Sequence, residues 1–276
     1  MYADKSQERP RRPMTLSHLR EMKQAGEKIT MLTAYDASFA SLLDEAGVDT
    51  LLIGDSLGNV IQGHDTTLPV RVDDIVYHTR AVANGAHHAF LIADMPFMSY
   101  ATPEQALASA ARVMQEGGAH MVKLEGGAVQ VETVRYLTER GIPVCTHLGL
   151  TPQHVHKLGG FKVQGREEHA ARALREDAAA LEAAGADMLV LECVPSALAA
   201  EVTESLEMPV IGIGAGEGCD GQVRVSADLL GLTPQQPPFS PALLDGRELF
   251  SQALRQWVQG VQSAPVPPTN HSAPHC

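Results

Sequence analysis

The stretch GGAHMVKLEGG at residues 117–127 shows most clearly the pattern that decides the fold. Its paired glycines stand where a helix would end, because glycine readily adopts the left-handed conformation that closes a helix. A short apolar run follows, with Lys123 and Glu125 near its end. The run is too short for a helix, so it predicts a β-strand buried on both faces, with polar groups where the strand stops.

Six other stretches repeat this pattern, the last of them as a variant. They are KITMLTAYD (28–36), AGVDTLLIGDS (46–56), NGAHHAFLIADMP (84–96), RGIPVCTHLG (140–149), AGADMLVLECVP (184–195) and EMPVIGIGAG (207–216). Helical patterns lie between them, such as residues 102–118, where Thr102 is the predicted N-cap and Pro103 the first helical residue. Strands alternating with helices predict a parallel sheet, and this number of units in 276 residues fits a closed (β/α)8 TIM barrel.

The two ends of the chain and the eighth strand are less regular. TLSHLREMKQAG (15–26) predicts an N-terminal amphipathic helix, capped by Thr15, that closes the bottom of the barrel. GLTPQQPPFS (231–240), where an eighth strand would be expected, is Pro-rich and weakly apolar. The sequence therefore predicts one barrel domain over residues 14–262, between a disordered N-terminal arm (1–13) and a disordered tail (263–276).

The composition excludes several classes of protein. A formal net charge of -12 argues against non-specific binding to nucleic acids or acidic membranes. The sequence contains no apolar run of about 18 residues that could span a membrane, and no signal-peptide core follows the basic N-terminus. The four cysteines show neither metal-ligand spacing nor a disulfide framework, which predicts a protein of the reducing cytoplasm.

Polar residues stand at the ends of five predicted strands: Asp55, Asp94, Glu125, His147 and Glu192. In an α/β barrel the catalytic groups come from these ends, because every loop from strand to helix opens onto that face. The four acids would repel one another unless a cation binds. Oxygen ligands without a His/Cys cluster predict Mg²⁺, with Asp55 and Asp94 as first ligands and Glu125 direct or through water. The alternative for Asp55 is a helix N-cap.

Three of these side chains have two interpretations each. Lys123 points to the same side of its strand as Glu125, so it either pairs with Glu125 or holds a substrate carboxylate. His147 either donates a hydrogen bond to a substrate oxygen or is a satisfied core histidine. Glu192 emerges from an apolar strand, which suits a general base, whereas its structural alternative is to cap a helix.

Taken together, the segments resemble one family, the ketopantoate hydroxymethyltransferases. The matching stretches are TAYD (33–36), GDSLG (54–58), GHDTTLPV (63–70), YHTRAV (77–82), ADMPFMSYATPEQA (93–106), VKLEGG (122–127), HLGLTPQ (147–153), GGFKVQGR (159–166), LECVP (191–195) and PVIGIGAG (209–216). They run in unbroken order from roughly residue 14 to residue 232. No single stretch is decisive, but their joint order and spacing are very specific.

The resemblance implies a barrel of the phosphoenolpyruvate/pyruvate type and a role for each site residue. Asp55, Asp94 and Glu125 resemble the magnesium ligands, and Glu192 resembles the proton acceptor. The substrate contacts that the resemblance implies are Asp55, Ser56, Asp94, Lys123 and His147.

The resemblance also implies the reaction and the partners. The family transfers a hydroxymethyl group from 5,10-methylenetetrahydrofolate to 3-methyl-2-oxobutanoate through a Mg-bound enolate, which gives 2-dehydropantoate for pantothenate biosynthesis. We therefore expect small-molecule substrates, Mg²⁺ as cofactor and a homo-oligomer, by resemblance a homodecamer, without nucleic-acid or membrane partners.

The sequence departs from the family pattern towards its C-terminus, and its strand-end residues leave two other functions open. After Gln222 the family usually continues with aliphatic residues and a His-Asp pair, whereas Arg224 and Ala227-Asp228 stand here. One alternative is a lyase or mutase of the phosphoenolpyruvate/isocitrate-lyase type, which typically uses a loop cysteine, for which Cys219 is a poor candidate. Another is a non-catalytic barrel, which would have lost its acids at the strand ends.

Overall fold

The computed structural model describes residues 12–160, 162–234 and 236–263. The predicted N-terminal arm and C-terminal tail lie outside these residues, apart from Arg12, Pro13 and Ser263. Tertiary contacts group the chain into one unit that ends at Ser226 and a second that begins at Ala227. The first unit contains the barrel, and the second contains the last long helix.

Eight parallel strands close into a barrel in chain order, which confirms the predicted (β/α)8 fold. They are β1 Ile29–Thr33, β2 Thr50–Ile53, β3 Phe90–Asp94, β4 Met121–Glu125, β5 Val144–Gly149, β6 Met188–Glu192, β7 Val210–Ile213 and β8 Gly221–Arg224. The first seven lie within the seven predicted stretches. The last pairs with both β7 and β1 and so closes the ring.

The eighth strand lies earlier in the chain than expected. No strand occurs in the described part of residues 231–240, and β8 is instead formed by the four residues GQVR, directly after residues 214–220, which follow β7. Only Val223 in this strand is apolar, so it carries no hydrophobic run. A Cβ at Gly221 would lie 2.3 Å from the carbonyl oxygen of Ile29, so the approach of β8 to β1 requires glycine.

The helices lie mainly between the strands. They are α1 Leu16–Ala25, α2 Ala37–Glu45, α3 Leu57–Val60, α4 Val72–Gly85, α5 Pro103–Gln115, α6 Val131–Thr138, α7 Val155–Leu158, α8 Glu168–Ala183, α9 Ser196–Ser205, α10 Ser226–Leu229 and α11 Gly246–Ser263. Thr15 and Thr102 cap α1 and α5 through their side chains, as the sequence predicts. In the part of the chain that the structure describes, no helix has the length and apolar character needed to cross a membrane.

Alternate strand residues explain how the barrel positions its polar groups. One buried apolar cluster contains Ile92 of β3, Met121 of β4, Cys145 of β5 and Val190 of β6, together with Leu19 of α1. Two residues further along each of these strands, on the same face, stand Asp94, Lys123, His147 and Glu192. The inward face is therefore apolar towards the N-terminal ends of the strands and charged at their C-terminal ends.

Candidate active site

Strand register places charged side chains next to one another. Asp94 of β3 is the register partner of Lys123 of β4, and Nζ of Lys123 lies 2.7 Å from Oδ1 of Asp94. The ion-pair partner of Lys123 is therefore Asp94 and not Glu125, the partner in one of its two interpretations. Neighbouring strands are about 4.8 Å apart, whereas residues two apart along one strand are separated by about 6.6 Å. A register partner is thus nearer than the second residue along.

His147 links two of the acids. Glu125 is its register partner, and Oε1 of Glu125 lies 3.3 Å from Nδ1 of His147. On the other side of the ring, Nε2 lies 3.2 Å from Oε2 of Glu192. Burial and the charge of Lys123 lower the pKa of His147, but its contacts with Glu125 and Glu192 outweigh them and raise that pKa to about 9. The imidazole is therefore predominantly charged at neutral pH.

Asp55 stands in the turn after β2, beside Asp94. Its backbone N–H donates to Oδ2 of Asp94 over 2.8 Å. Burial raises the pKa of Asp55 well above its usual value, and the carboxylates of Asp94 and Glu125 raise it further. The next residue, Ser56, has its hydroxyl 2.8 Å from the hydroxyl of Tyr35. Like charges gathered without water are costly, so this corner of the barrel favours a bound cation.

All seven predicted site residues are at the C-terminal end of the barrel: Asp55, Ser56, Asp94, Lys123, Glu125, His147 and Glu192. Their burial differs in a way that bears on chemistry. The side chain of Glu192 is 14% exposed, whereas that of Lys123 is 4% exposed and that of Glu125 is 1% exposed. The side chain of Glu192 is therefore more accessible than those of Lys123 and Glu125.

Two buried polar residues of the site were not singled out from the sequence. Gln153 follows β5, and its side chain donates to Oδ2 of Asp55 over 2.8 Å. Tyr100 follows β3, and its hydroxyl accepts from the backbone N–H of Glu125 over 3.3 Å. Both stand within stretches that carry the family resemblance. Neither is charged or ends a strand, so the strand-end argument could not select them.

The oxygen atoms of the site fit a hard metal ion. Oδ1 of Asp94 and Oε1 of Glu125 are buried and make no hydrogen bond with any residue that the structure describes, although each lies within ion-pair distance of a cation. Over residues 12–160, 162–234 and 236–263, no three His, Cys, Asp or Glu side chains form a ready-made metal centre. Magnesium commonly takes only one or two protein carboxylates and completes its octahedron with water and substrate, so the pair Asp55 and Asp94 suffices.

Comparison with known proteins identifies close relatives. A family model described as ketopantoate hydroxymethyltransferase matches residues 13–269. A 3-methyl-2-oxobutanoate hydroxymethyltransferase of Nitrosococcus oceani is 57% identical over 255 residues, covering 92% of this chain and 97% of that protein. The protein of the same name from Proteus mirabilis is 58% identical over 261 residues, covering 95% of this chain and 99% of its own.

Solved structures of more distant proteins share the barrel. A phosphonopyruvate hydrolase in complex with oxalate and Mg²⁺ superposes with a TM-score of 0.62 at 14% identity, covering 92% of each chain. The phosphoenolpyruvate phosphomutase of Streptomyces platensis superposes with a TM-score of 0.61 at 13% identity, covering 90% of this chain and 87% of that one. At such low identity the likeness concerns the fold alone.

Proposed function

The chain belongs to the ketopantoate hydroxymethyltransferase family, and from that premise we propose that it transfers a hydroxymethyl group from 5,10-methylenetetrahydrofolate to 3-methyl-2-oxobutanoate. It is an enzyme, and the proposed products are 2-dehydropantoate, for pantothenate biosynthesis, and tetrahydrofolate. The observation that carries the proposal is the pair of buried contacts Asp94 with Lys123 and Glu192 with His147, at the C-terminal end of a barrel of this family.

Asp55 and Asp94 would hold a magnesium ion, with Glu125 as a direct ligand or a ligand through water. Oδ1 of Asp94 and Oε1 of Glu125 make no hydrogen bond among the described residues, which supports this role, as does the oxygen-rich character of the donor set. When bound, Mg²⁺ would supply Lewis acidity to the keto and carboxylate oxygens of the substrate and stabilise the enolate.

Lys123 and Ser56 would bind the keto acid. Burial lowers the pKa of Lys123, but the carboxylates of Asp94, Glu125 and Asp55 raise it well above its usual value. The ammonium group therefore stays charged and can attract a substrate carboxylate. The Ser56 hydroxyl, held by Tyr35, can donate to a second substrate oxygen. His147 would donate to the substrate or orient the base beside it.

Glu192 would take the C3 proton of the keto acid. Its carboxylate lies at the more accessible end of the network, and the charged His147 ring orients one of its oxygens. Loss of the proton gives a nucleophilic C3, which forms a bond to the one-carbon unit as that carbon breaks its bonds to the two folate nitrogens. One water supplies the oxygen of the new hydroxyl group, and the folate nitrogens take up the protons as tetrahydrofolate leaves.

The chemistry of proton removal can be tested apart from hydroxymethyl transfer. We expect Glu192→Gln to slow exchange of the C3 proton of 3-methyl-2-oxobutanoate in D2O by at least about 100-fold, measured by NMR with Mg²⁺ and without folate. Glu201→Gln is the matched control, because Glu201 is an exposed carboxylate of α9 that pairs with Arg175. A Glu192→Gln protein that exchanged the proton at the wild-type rate would overturn the assignment.

A lyase or mutase reaction receives no support from the cysteine that it would use. Cys219 is fully buried, and burial raises the pKa of its thiol above the usual value. Tetrahydrofolate-dependent transfer of a one-carbon unit to the keto acid is the discriminating assay. Product formation that did not require the folate would contradict the proposed donor.

We also propose that the enzyme works as a homo-oligomer in the cytoplasm, by family resemblance as a homodecamer. Helix α11 supports self-association because Leu254, Trp257 and Val261 are each more than half exposed, and such an apolar face is costly to leave in water. A reducing compartment is supported by Cys145, Cys193 and Cys219, which are buried free thiols.

A further inference from the structure

We infer that Gln153 is a positioning residue that sets the relative geometry of Asp55 and Glu125 for metal binding. The inference deepens the proposed function and rests on it, since it concerns the same magnesium site. Gln153 lies in a 3-10 turn, Pro152–His154, immediately after β5, and it is 3% exposed. A fully buried neutral amide among carboxylates must satisfy every donor and acceptor that it brings.

Gln153 contacts two candidate metal ligands through two different groups. Its side-chain Nε2 donates to Oδ2 of Asp55 over 2.8 Å. Its backbone N–H donates to Oε2 of Glu125 over 3.0 Å. One residue therefore holds one oxygen of each of two acids that arrive from different strands.

The remaining polar atoms of the amide fix its orientation. Nε2 also donates to the carbonyl oxygen of Met95 over 3.1 Å, and Oε1 accepts from the hydroxyl of Tyr100 over 2.5 Å. A flipped amide would place an oxygen against Met95 and Asp55 and would lose these bonds. Both N–H groups and the carbonyl are thus occupied, and the loops after β2 and β3 are tied to the loop after β5.

Tyr100 extends this arrangement back to Glu125. Its hydroxyl donates to Gln153 and accepts from the backbone N–H of Glu125 over 3.3 Å. Glu125 is thereby held at its side chain by the Gln153 backbone and at its own backbone by Tyr100. The oxygen of Glu125 on the other side, Oε1, makes no hydrogen bond among the described residues. The network thus fixes one oxygen of Glu125, and the other lies 3.3 Å from Nδ1 of His147.

The neutrality of Gln153 matters for a cation site. A carboxylate at this position would add one more negative charge beside Asp55 and could not donate to it. A lysine would place a positive charge where the ion is expected. An amide supplies the donors without either charge, so it can orient the acids and leave their attraction for a divalent cation intact.

The test measures binding of Mg²⁺ alone to the purified full-length protein by isothermal titration calorimetry. Gln153→Met keeps the length of the side chain but removes its amide, and we expect a Kd for Mg²⁺ that is about 10- to 100-fold weaker. Gln105→Met is the matched control. Its amide bonds to Met98 and Ala101 of the loop after β3 without touching an acid, so its Kd should stay within about 2-fold of wild type.

A double-mutant cycle distinguishes positioning from a general loss of packing. Tyr100→Phe removes only a hydroxyl and should weaken Mg²⁺ binding by about 3-fold or more, in the same direction as Gln153→Met. Because Tyr100 reaches Asp55 through Gln153, although it also contacts the Glu125 backbone directly, the two effects should combine to clearly less than their product in the double variant. Two effects that simply multiplied would overturn the inference.

Asp55→Asn separates failure of this inference from failure of the proposed site. Mg²⁺ binding lost in Asp55→Asn but unchanged in a folded Gln153→Met protein would leave the metal site standing and refute the role of Gln153. Unchanged binding in Asp55→Asn would instead refute the metal site itself. Circular dichroism reports folding. If Gln153→Met does not fold, Tyr100→Phe decides, and a wild-type Kd in that variant would overturn the inference.

Discussion

At the scale of single residues, the backbone of Glu192 and of the residue after it is held in place by hydrogen bonds to two neighbouring segments. The carbonyl oxygen of Glu192 accepts from the N–H of Leu150 over 2.8 Å, in the chain that leaves β5. Cys193, the next residue, has a φ of 49°, a left-handed conformation that a non-glycine residue adopts at a cost. Its N–H donates to Ile213 over 2.8 Å. These contacts hold the strained turn that aims the proposed base.

Gly149 allows this approach, and its replacement should be severe. It has a φ of 91°, and a Cβ there would lie 2.2 Å from the carbonyl oxygen of Glu192. Gly141, with a φ of 79° and nothing within 4 Å, is the matched control. We expect Gly141→Ala to lower the free energy of unfolding by about 1–2 kcal/mol through its φ alone. Gly149→Ala adds a backbone clash and should lose about 2–5 kcal/mol in urea unfolding. Equal losses would contradict the argument.

Residue identity also limits what could be predicted from sequence. Asp94, Glu125 and Glu192 could be selected because each ends an aliphatic run and carries charge. The pairing of Lys123 with Asp94 could not, since it depends on how β4 aligns with β3. Gln153 bears no charge and follows its strand by four residues, so its role appears only when three loops and the end of β4 are seen together.

At the scale of elements, one device closes the N-terminal end of the barrel in each pair of strands. In the pairs β1–β2, β3–β4, β5–β6 and β7–β8, the residue that directly precedes the second strand uses its side chain as an acceptor. The donor is a backbone N–H from one of the first two residues of the first strand. The four instances are Thr30 to Asp49 at 2.9 Å, Leu91 to His120 at 3.1 Å, Val144 to Asp187 at 3.1 Å and Val210 to Asp220 at 2.8 Å. These N–H groups stand where the strands begin, and buried backbone donors need a partner. Each pair of strands therefore supplies an acceptor for one of its own N–H groups.

Helix α1 joins this end of the barrel through the same acids. Lys23 donates to Asp220 over 2.7 Å and to the carbonyl oxygen of Thr203 over 2.9 Å. Arg20 pairs with Asp187. Leu19 packs into the apolar cluster while Arg20 and Lys23 bind the acids, so both faces of the amphipathic helix predicted at 15–26 are used to close the barrel. The strand β8 escaped prediction because Gly221, Gln222 and Arg224 give it no aliphatic run.

A buried acid of α2 makes the stability of the outer layer depend on pH. Asp44 accepts the backbone N–H groups of His87, His88 and Ala89 and the side chain of His88. Burial alone would raise the pKa of Asp44, but these hydrogen bonds hold it below the usual value. A lowered pKa in the folded state means that the stabilisation is complete above the unfolded-state pKa and disappears as the pH falls through the folded-state pKa.

Asp44→Asn should therefore lower the free energy of unfolding by about 1.5–3 kcal/mol at pH 7, as loss of hydrogen bonds to a charged group requires. Below the folded-state pKa of Asp44 the wild-type carboxyl is also neutral, so the difference between the two proteins should shrink. Urea unfolding at several pH values measures it. Glu45→Gln, at an exposed acid of the same helix, should change stability by less than about 1 kcal/mol at every pH. A constant difference for Asp44→Asn would contradict the pKa argument.

At the scale of the whole molecule, the barrel has a stable end and a functional end. Apolar side chains fill its interior towards the N-terminal ends of the strands, and buried acids gather at the other end. Such a cluster opposes folding, because like charges are brought together out of water. If the proposed function holds, binding of the ion and the substrate would recover the stability given up at the site, a common compromise in active sites.

Ligands should therefore stabilise the protein jointly. Mg²⁺ and 3-methyl-2-oxobutanoate together, at about 100 times Kd, should add about 2.7 kcal/mol. For a chain of this size that corresponds to a rise in Tm of about 5–10 °C in a thermal unfolding scan. The keto acid without Mg²⁺ should give a much smaller shift in Tm, because the ion and the keto acid together complete one site.

Asp55→Asn should raise the Tm of the free protein, since burial and the carboxylates of Asp94 and Glu125 oppose ionisation of Asp55. The same substitution should abolish the rise in Tm that the ligands cause. If Asp55→Asn lowered the Tm of the free protein and kept the full ligand shift, then Asp55 would be a structural group and the ion would bind elsewhere.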